Sequence, residues 1–353
     1  MKYVVIRTSA SSSMGMGHFM RCLTLAKMLK NTGEVQIGFI CNSDFPENLE
    51  EQLKLEKFEL LKTKEHSLLV FDVNLDAEST IELIKNKKID WLIVDHYQID
   101  ETWETRLRPA VHKILVIDDL ANRKHDCDAL LDQNMHSNKE KRYVGLVPQH
   151  TECFLGPTFF LLHPDYYQHQ HKQKEKKSEI EFVINFGGSD PTNEISKILS
   201  TIEKHSGQLI GSHFHIVAGP LNPIKEEVHR RCMHLKCVSF YENTHMPTLL
   251  ANADFAIGAG GTTMIERCFM GVPSGIIIVA DNQIEGTLAA GQQELVFKLG
   301  KSESVKEFEI LSFLKSCLAF SAPIEQIRKK CLEFNKQLQK KGGHPVISML
   351  TRG

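Results

Sequence analysis

The chain has 353 residues, of which 42% are hydrophobic and 24% charged, and its formal net charge is −2. That length suits two domains, and the apolar share is ample for two cores. A near-neutral balance with no basic stripe speaks against a nucleic-acid surface, while a small anion can still be held by backbone dipoles.

The nine cysteines are scattered, odd in number and without a CxxC pair, and several fall inside the apolar runs at 35–41 and 236–240. Free, reduced thiols and a cytoplasmic location are expected. The N-terminus reads as a strand, not a signal peptide. No run approaches the roughly 18 apolar residues that span a bilayer, so no stable membrane association is expected. The oligomeric state stays open, and a monomer is compatible with the sequence.

In chain order, short β-branched runs predict strands at 3–8, 35–41, 91–96, 113–118 and 129–132, with helical patterns at 19–30, 77–86 and 101–109 between them. The stretch 166–179, YYQHQHKQKEKKSE, has no apolar residue after Tyr167 and reads as a solvated helix or linker. The rhythm then repeats, with strands at 181–186, 214–218, 236–241, 255–258, 275–279 and 295–299. Helices are predicted at 193–204, 224–234, 246–252, 263–269, 284–290 and 303–318. A last helical pattern at 324–341 carries Ile324, Ile327, Leu332, Phe334 and Leu338, and would pack back across the domains. This alternation predicts an α/β protein with two Rossmann-like domains, their parallel sheets facing a central cleft. The expected boundaries are an N-terminal domain at 1–165, a linker at 166–179 and a C-terminal domain at 180–353. In such sheets ligands bind beyond the carboxyl ends of the strands, so motifs at strand ends carry the function.

The first strand ends in a Ser-rich loop that runs into Gly15-Met16-Gly17-His18 and a helix. Glycines there permit close backbone approach to a ligand. A dinucleotide fingerprint would need a third glycine near Met20, and none is present, so nicotinamide binding is disfavoured. A histidine in the first helical turn suits a general base near neutral pH, and the helix N-terminus favours its neutral form. The alternative is a capping or packing histidine. Asp95-His96-Tyr97 and Asp118-Asp119 also sit at strand ends, where they could serve acid–base chemistry or cap the following segments. Their spacing does not make a metal site, and no cofactor is expected.

In the second half, the strand ending at Asn185-Phe186 meets Gly187-Gly188-Ser189-Asp190-Pro191. Ser189 and Asp190 could cap the next helix, and the glycine pair leaves free N–H groups and room for a ligand. The run Gly258-Ala259-Gly260-Gly261-Thr262-Thr263 opens another helix, with Glu266 one turn further on. Amides of Gly261, Thr262 and Thr263 make an anion site at the helix N-terminus, and the Glu266 carboxylate could accept two ribose hydroxyls. The lysine of a P-loop is missing. Asn282 and Gln283 follow a further buried strand and could orient a polar substrate.

Together these pieces resemble the GT-B architecture of nucleotide-sugar enzymes. The GGTTxxE stretch at 260–266 is similar to the UDP-binding part of the enzymes that add N-acetylglucosamine to the peptidoglycan lipid precursor. A narrower resemblance covers nearly the whole chain. GxGHxMRCLTLA at 15–26, VDHYxID at 94–100, VIDDLANRxHDCDALLDQN at 116–134, LGPTFFLLHPDY at 155–166, INFGGSDPTN at 184–193 and AIGAGGTTMIERC at 256–268 look like the UDP-sugar hydrolases of pseudaminic acid biosynthesis. The resemblance implies cleavage of UDP-2,4-diacetamido-2,4,6-trideoxy-β-L-altropyranose by water, without a metal; direct attack of water on the anomeric carbon is expected to invert its configuration. It implies His18 as the base and Glu266 as the ribose ligand, and it places Tyr97, Asn282 and Gln283 near the sugar or phosphates. Gly17 and Arg21 in the first motif, with Asn185, Gly187, Gly188, Ser189, Gly260, Gly261, Thr262 and Thr263 in the last two, complete the expected substrate contacts. Two alternatives stay open: a UDP-sugar-dependent glycosyltransferase on the same fold, and a non-catalytic nucleotide-sugar-binding protein.

Overall fold

The computed structural model describes residues 1–9, 17–64, 71–169, 178–242, 244–339 and 343–352. Gly15 and Met16 of the first motif, and 170–177 of the charged stretch, lie outside the described residues. The chain forms two compact units. The first comprises Met1–Asn134 and Asn138–Leu161 together with the C-terminal segment; the second comprises Met135–Ser137 and Leu162–Gln339.

The strands of the first unit are β1 (Lys2–Thr8), β2 (Val35–Cys41), β3 (Glu59–Lys62), β4 (Ile89–Asp95), β5 (Val111–Ile117), β6 (Ala129–Asp132) and β7 (Glu152–Leu155). They form one sheet in the order β3-β2-β1-β4-β5-β6-β7, with every pairing parallel. The second unit holds β8 (Ile180–Asn185), β9 (Ser212–Val217), β10 (Val238–Tyr241), β11 (Phe255–Ala259), β12 (Ser274–Ile278) and β13 (Phe297–Lys301). Its order is β10-β9-β8-β11-β12-β13, again all parallel. Consecutive parallel strands cannot be joined by a hairpin, so helices cross over and cover both sheet faces.

Strand order reverses between β1 and β4 in the first sheet, and between β8 and β11 in the second. These are the switch points at which connecting helices leave in opposite directions and open a crevice. Thr8 pairs with Asp95 at the first switch point, and Gly258 pairs with Asn185 at the second. Four of the motifs read from the sequence therefore end up at two places.

The core of each unit forms where helices meet the sheet faces. Phe19, Cys22, Leu25, Ala26 and Leu29 on the helix Gly17–Lys30 bury against Val4, Ile6, Ile37 and Phe39 of β1 and β2. On the other face Trp103 and Leu107 of the helix Glu101–Leu107 cover Leu92, Val94 and Val116. In the second unit Phe182, Phe214 and Phe255 stack across three adjacent strands, with ring centroids 5.1 and 5.4 Å apart. All nine cysteines are free thiols.

Some boundaries differ from expectation. Strands β3 and β7 were not anticipated; they are the two edges of the first sheet. The start of the expected linker is instead the end of a helix, Pro164–His169, with Tyr166 buried. The helix Ala322–Leu338 belongs to the second unit, where it packs on Thr262–Phe269. The last helix, Pro345–Thr351, expected with the C-terminal domain, packs on Gly17–Lys30 in the first unit by burying Val346 and Leu350. Among the described residues no single helix is long and apolar enough to cross a membrane.

One glycine that the motifs did not flag is required by packing. A Cβ on Gly219, just after β9, would lie 2.4 Å from both Cα and O of Gly188. Backbone meets backbone there, and Leu221 N–H donates to Gly188 O at 2.9 Å. Gly219→Ala should lower stability by about 1–3 kcal/mol through overpacking. Gly207→Ala, where nothing lies within 4 Å of the added methyl, should change it by less than about 0.5 kcal/mol. Urea unfolding of both variants checks this pair of expectations.

Candidate functional site

His18 is the second residue of the helix Gly17–Lys30, in its first turn. It is buried, and its Nδ1 lies 2.5 Å from Asp95 Oδ1 at the end of β4. Asp95 is fully buried and ionised: burial pushes its carboxyl up, but the Arg21 guanidinium and His18 outweigh that and hold it well below the usual carboxylate range. A carboxylate only accepts, so in this contact Nδ1 carries the proton and donates to Asp95. Nε2 is left as the basic nitrogen, and it has no hydrogen-bond partner among the described residues.

Arg21, one helical turn beyond His18, completes this network. Its Nε donates to Asp95 Oδ2 at 2.5 Å, Nη2 to Asp95 Oδ1 at 2.6 Å and Nη1 to Asp119 Oδ2 at 2.9 Å. Cys22 Sγ donates to Asp95 Oδ2 at 3.4 Å. Arg21, expected as a substrate contact, clamps two carboxylates. The Tyr97 ring meets the His18 ring edge-on, with centroids 4.2 Å apart. This contact restricts imidazole rotation about the bond that Asp95 fixes.

The neighbouring acids are spent on structure. Asp118 accepts from Ala121 N at 2.8 Å, Arg123 Nη1 at 2.8 Å and Tyr143 Oη at 3.1 Å. It caps the next segment, one of the two roles its position allowed. His96, beside Asp95 in sequence, stacks on Phe71 at 4.8 Å, and its Nδ1 accepts from Gln98 N. Burial, with Arg7 nearby, pushes the His96 imidazole down to about 3, so it stays neutral.

In the second unit, two loops flank the switch point. Asn185 is committed to the backbone: Nδ2 donates to Val217 O at 3.2 Å, and Oδ1 accepts from Gly187 N at 3.2 Å. Gly187 has φ +79°, a conformation that favours glycine. Asp190 caps the helix Glu194–His205, accepting from Glu194 N at 2.9 Å and Ile195 N at 3.0 Å. Burial still pushes Asp190 up to about 6, opposed by those two amides and aided by the Glu194 carboxyl. Gly188 and Ser189 lie on the turn that this cap anchors.

The second loop passes from β11 through Gly260 and Gly261 into the helix Thr262–Phe269. Among the described residues no side chain caps this helix; Met264 N–H donates to Gly261 O at 2.9 Å, and the Thr262 and Thr263 amides that precede it can receive an anion. Gln283 braces the loop from below: its Oε1 accepts from Gly260 N and Val279 N, each at 3.2 Å. Gly260 must be glycine, because a Cβ would lie 2.1 Å from Thr287 Oγ1. Asn282 is exposed on the adjoining turn. Glu266 is half-buried, and the hydroxyl of Tyr166 hydrogen-bonds to it. Burial raises the Glu266 carboxyl, while that hydroxyl and the Arg267 charge lower it. Sequence reasoning missed Tyr166 by placing it in the linker; the signal was its position as the end of the LGPTFFLLHPDY motif.

Comparison with known proteins bears on this arrangement. No family model matches the chain. It is 26% identical over 294 residues to an uncharacterized protein of Methanocaldococcus jannaschii, covering 80% of this chain and 56% of the relative. It is 32% identical over 203 residues to a Campylobacter jejuni protein named UDP-2,4-diacetamido-2,4,6-trideoxy-beta-L-altropyranose hydrolase, covering 57% of this chain and 66% of the relative. The chain thus spans less than two thirds of each of these two. It is also 26% identical over 337 residues to the spore coat polysaccharide biosynthesis protein SpsG of Bacillus subtilis, covering 94% and 90%. Among solved structures, MurG of Acinetobacter baumannii superposes with a TM-score of 0.65 at 12% identity over 99% of both chains. UGT89C1 of Arabidopsis thaliana, complexed with UDP, gives 0.67 at 11% identity over 100% of both.

The fold is that of the GT-B glycosyltransferases. The resemblance read from the motifs is matched in this comparison, since the chain is a homologue of the named altropyranose hydrolase and of SpsG.

The Asp190 environment generates a pH prediction. The folded state holds this proton more tightly than the unfolded chain, whose Asp titrates near about 3.9. Its contribution to stability is therefore highest below about pH 4 and falls as pH rises to about 6, by on the order of 3 kcal/mol. Unfolding free energy of wild type minus that of Asp190→Asn, measured by denaturant at several pH values, should decline across that window and be flat above it.

Proposed function

We propose that this protein is an enzyme that hydrolyses a UDP-sugar at its anomeric carbon. The reading places UDP on the two glycine-rich loops of the second unit and assigns the base to His18. The bond to break joins the anomeric carbon to a diphosphate oxygen. UDP leaves readily once its charge is held, and backbone amides at an uncapped helix start can do that. His18 Nε2 takes a proton from water as the oxygen attacks carbon; the electrons of the C–O bond pass to UDP, and the anomeric configuration inverts. Asp95 stabilises the imidazolium formed in that step, and Arg21 keeps Asp95 ionised.

The observation that carries the reading is the buried His18–Asp95–Arg21 network, which orients one imidazole with Nδ1 toward Asp95 and, among the described residues, leaves Nε2 without a hydrogen-bond partner. The named Campylobacter relative supports water as acceptor and UDP-2,4-diacetamido-2,4,6-trideoxy-β-L-altropyranose as substrate. SpsG supports a role in polysaccharide building. The sugar product would then enter pseudaminic acid biosynthesis. Glu266, steadied by Tyr166, is assigned to the ribose hydroxyls. Asn185 and Gln283 are assigned to holding the loops in shape, with Asn282 and Tyr97 left as direct contacts.

The test is proton NMR of the protein with that UDP-sugar and with UDP-N-acetylglucosamine, in EDTA and without an acceptor. Release of UDP and an initially inverted free sugar from the first compound is the expected result. UDP binding without turnover would instead favour a glycosyltransferase awaiting its acceptor, or a binding protein. His18→Gln should lower kcat by roughly 10²–10⁴-fold with UDP affinity within about twofold. Asp95→Asn, which no longer dictates the imidazole tautomer, should lower kcat while leaving UDP affinity intact. Unchanged kcat in His18→Gln would remove the base assignment.

A further inference from the structure

Three arginines are buried: Arg7, Arg21 and Arg267. Arg7 pairs with Asp76 at 2.5 Å, and Arg21 with Asp95 and Asp119. Arg267, 1% exposed, forms no ion pair with a carboxylate among the described residues. It lies on the helix Thr262–Phe269, one position after Glu266, beneath the loop that opens that helix. Its Nη2 donates to Ala259 O at 2.7 Å and its Nη1 to Thr263 Oγ1 at 3.1 Å. Its Nε is buried without a partner.

A lone buried charge is costly, and burial lowers the Arg267 guanidinium to about 10, with nearby Glu266 restoring it only in part. It still carries its charge at neutral pH. The backbone makes room for it: a Cβ on Gly258 would lie 2.6 Å from Arg267 Nη1. Thr263 accepts a hydrogen bond from the guanidinium, so its own hydroxyl hydrogen is left to donate elsewhere. That hydroxyl stands in the first turn of a helix with no side-chain cap.

We infer that Arg267 is a positioning residue for the diphosphate: from beneath the loop it orients the Thr263 hydroxyl as a donor and supplies the positive charge that the bound anion compensates. The inference rests on the assignment of UDP to this loop. Arg267 does not touch the phosphates; it acts through Thr263 and through the field at the helix start. Charge-assisted contacts of this kind respond to the number of phosphates and to salt, which a purely structural brace would not.

The test is calorimetric titration of the folded protein with UDP and with uridine, at low and high salt. Arg267→Gln should weaken UDP binding roughly ten- to hundredfold and flatten its salt dependence, with uridine affinity within about twofold. Arg267→Lys should recover most of the UDP affinity. Equal weakening of both ligands, or unchanged UDP binding, overturns the inference. If circular dichroism shows that Arg267→Gln does not fold, Thr263→Val carries the test: the same selective loss supports the relay, and wild-type UDP binding overturns it. Wild-type protein that binds neither ligand would remove the nucleotide assignment itself, a result distinct from any variant effect.

Discussion

Asp95 has no exposed surface and bears a negative charge that burial opposes. It stays ionised because Arg21 meets both of its oxygens and His18 meets one. Removing either partner would leave an uncompensated charge in the core, which is why such networks constrain what surrounds them. The helix Gly17–Lys30 must start where it does for His18 and Arg21, one turn apart, to face the same carboxylate. Strand β4 must lie beside β1, because Thr8 and Asp95 are register partners. The chemistry assigned to the first unit is thus set by one buried charge at one switch point.

The second unit solves a different problem. Its loops contain few side chains that could reach a ligand, and those are largely occupied in holding the loops. Asn185 closes on Val217 and Gly187, Gln283 on Gly260 and Val279, and Asp190 on the next helix. Backbone is a large part of what remains available: amides at a helix start with no side-chain cap, close to Gly258 and Gly260, where a side chain has no room. Rigid backbone donors lose no side-chain entropy when an anion arrives.

The two halves share a sheet order and treat their buried arginines oppositely. Arg7 and Arg21 are neutralised by aspartates within the first unit. Arg267 is held by a carbonyl and a hydroxyl, neither of which cancels its charge. Tyr166 adds a second control on the same helix by bonding to Glu266. Residues 166, 263, 266 and 267 therefore belong to one polar cluster around the start of Thr262–Phe269.

Much of this was legible in the linear sequence. Buried central strands declare themselves as continuous β-branched runs, and glycine clusters at their ends mark where backbone comes close to something. The edge strands β3 and β7 did not, because ELLK and ECFL are short, have a neighbour on one side only, and alternate too briefly to separate from loop. The helix Pro345–Thr351 was hidden for a similar reason, since its seven residues bury only Val346 and Leu350. The residue types of the site were equally visible: His18 after its glycines, Asp95 at a strand end, Glu266 beyond its threonines. Their partners were not. Pairing of Arg21 with Asp95 and Asp119 joins residues 74 and 98 positions apart, and the Tyr166–Glu266 bond also spans a long stretch of chain. Local sequence determines which segments become strands and helices and which residues stand at their ends, because periodicity and backbone freedom act over a few positions. Which charges meet, and which one forms no ion pair among the described residues, was decided only when the sheets formed, because burial and distance belong to the folded chain.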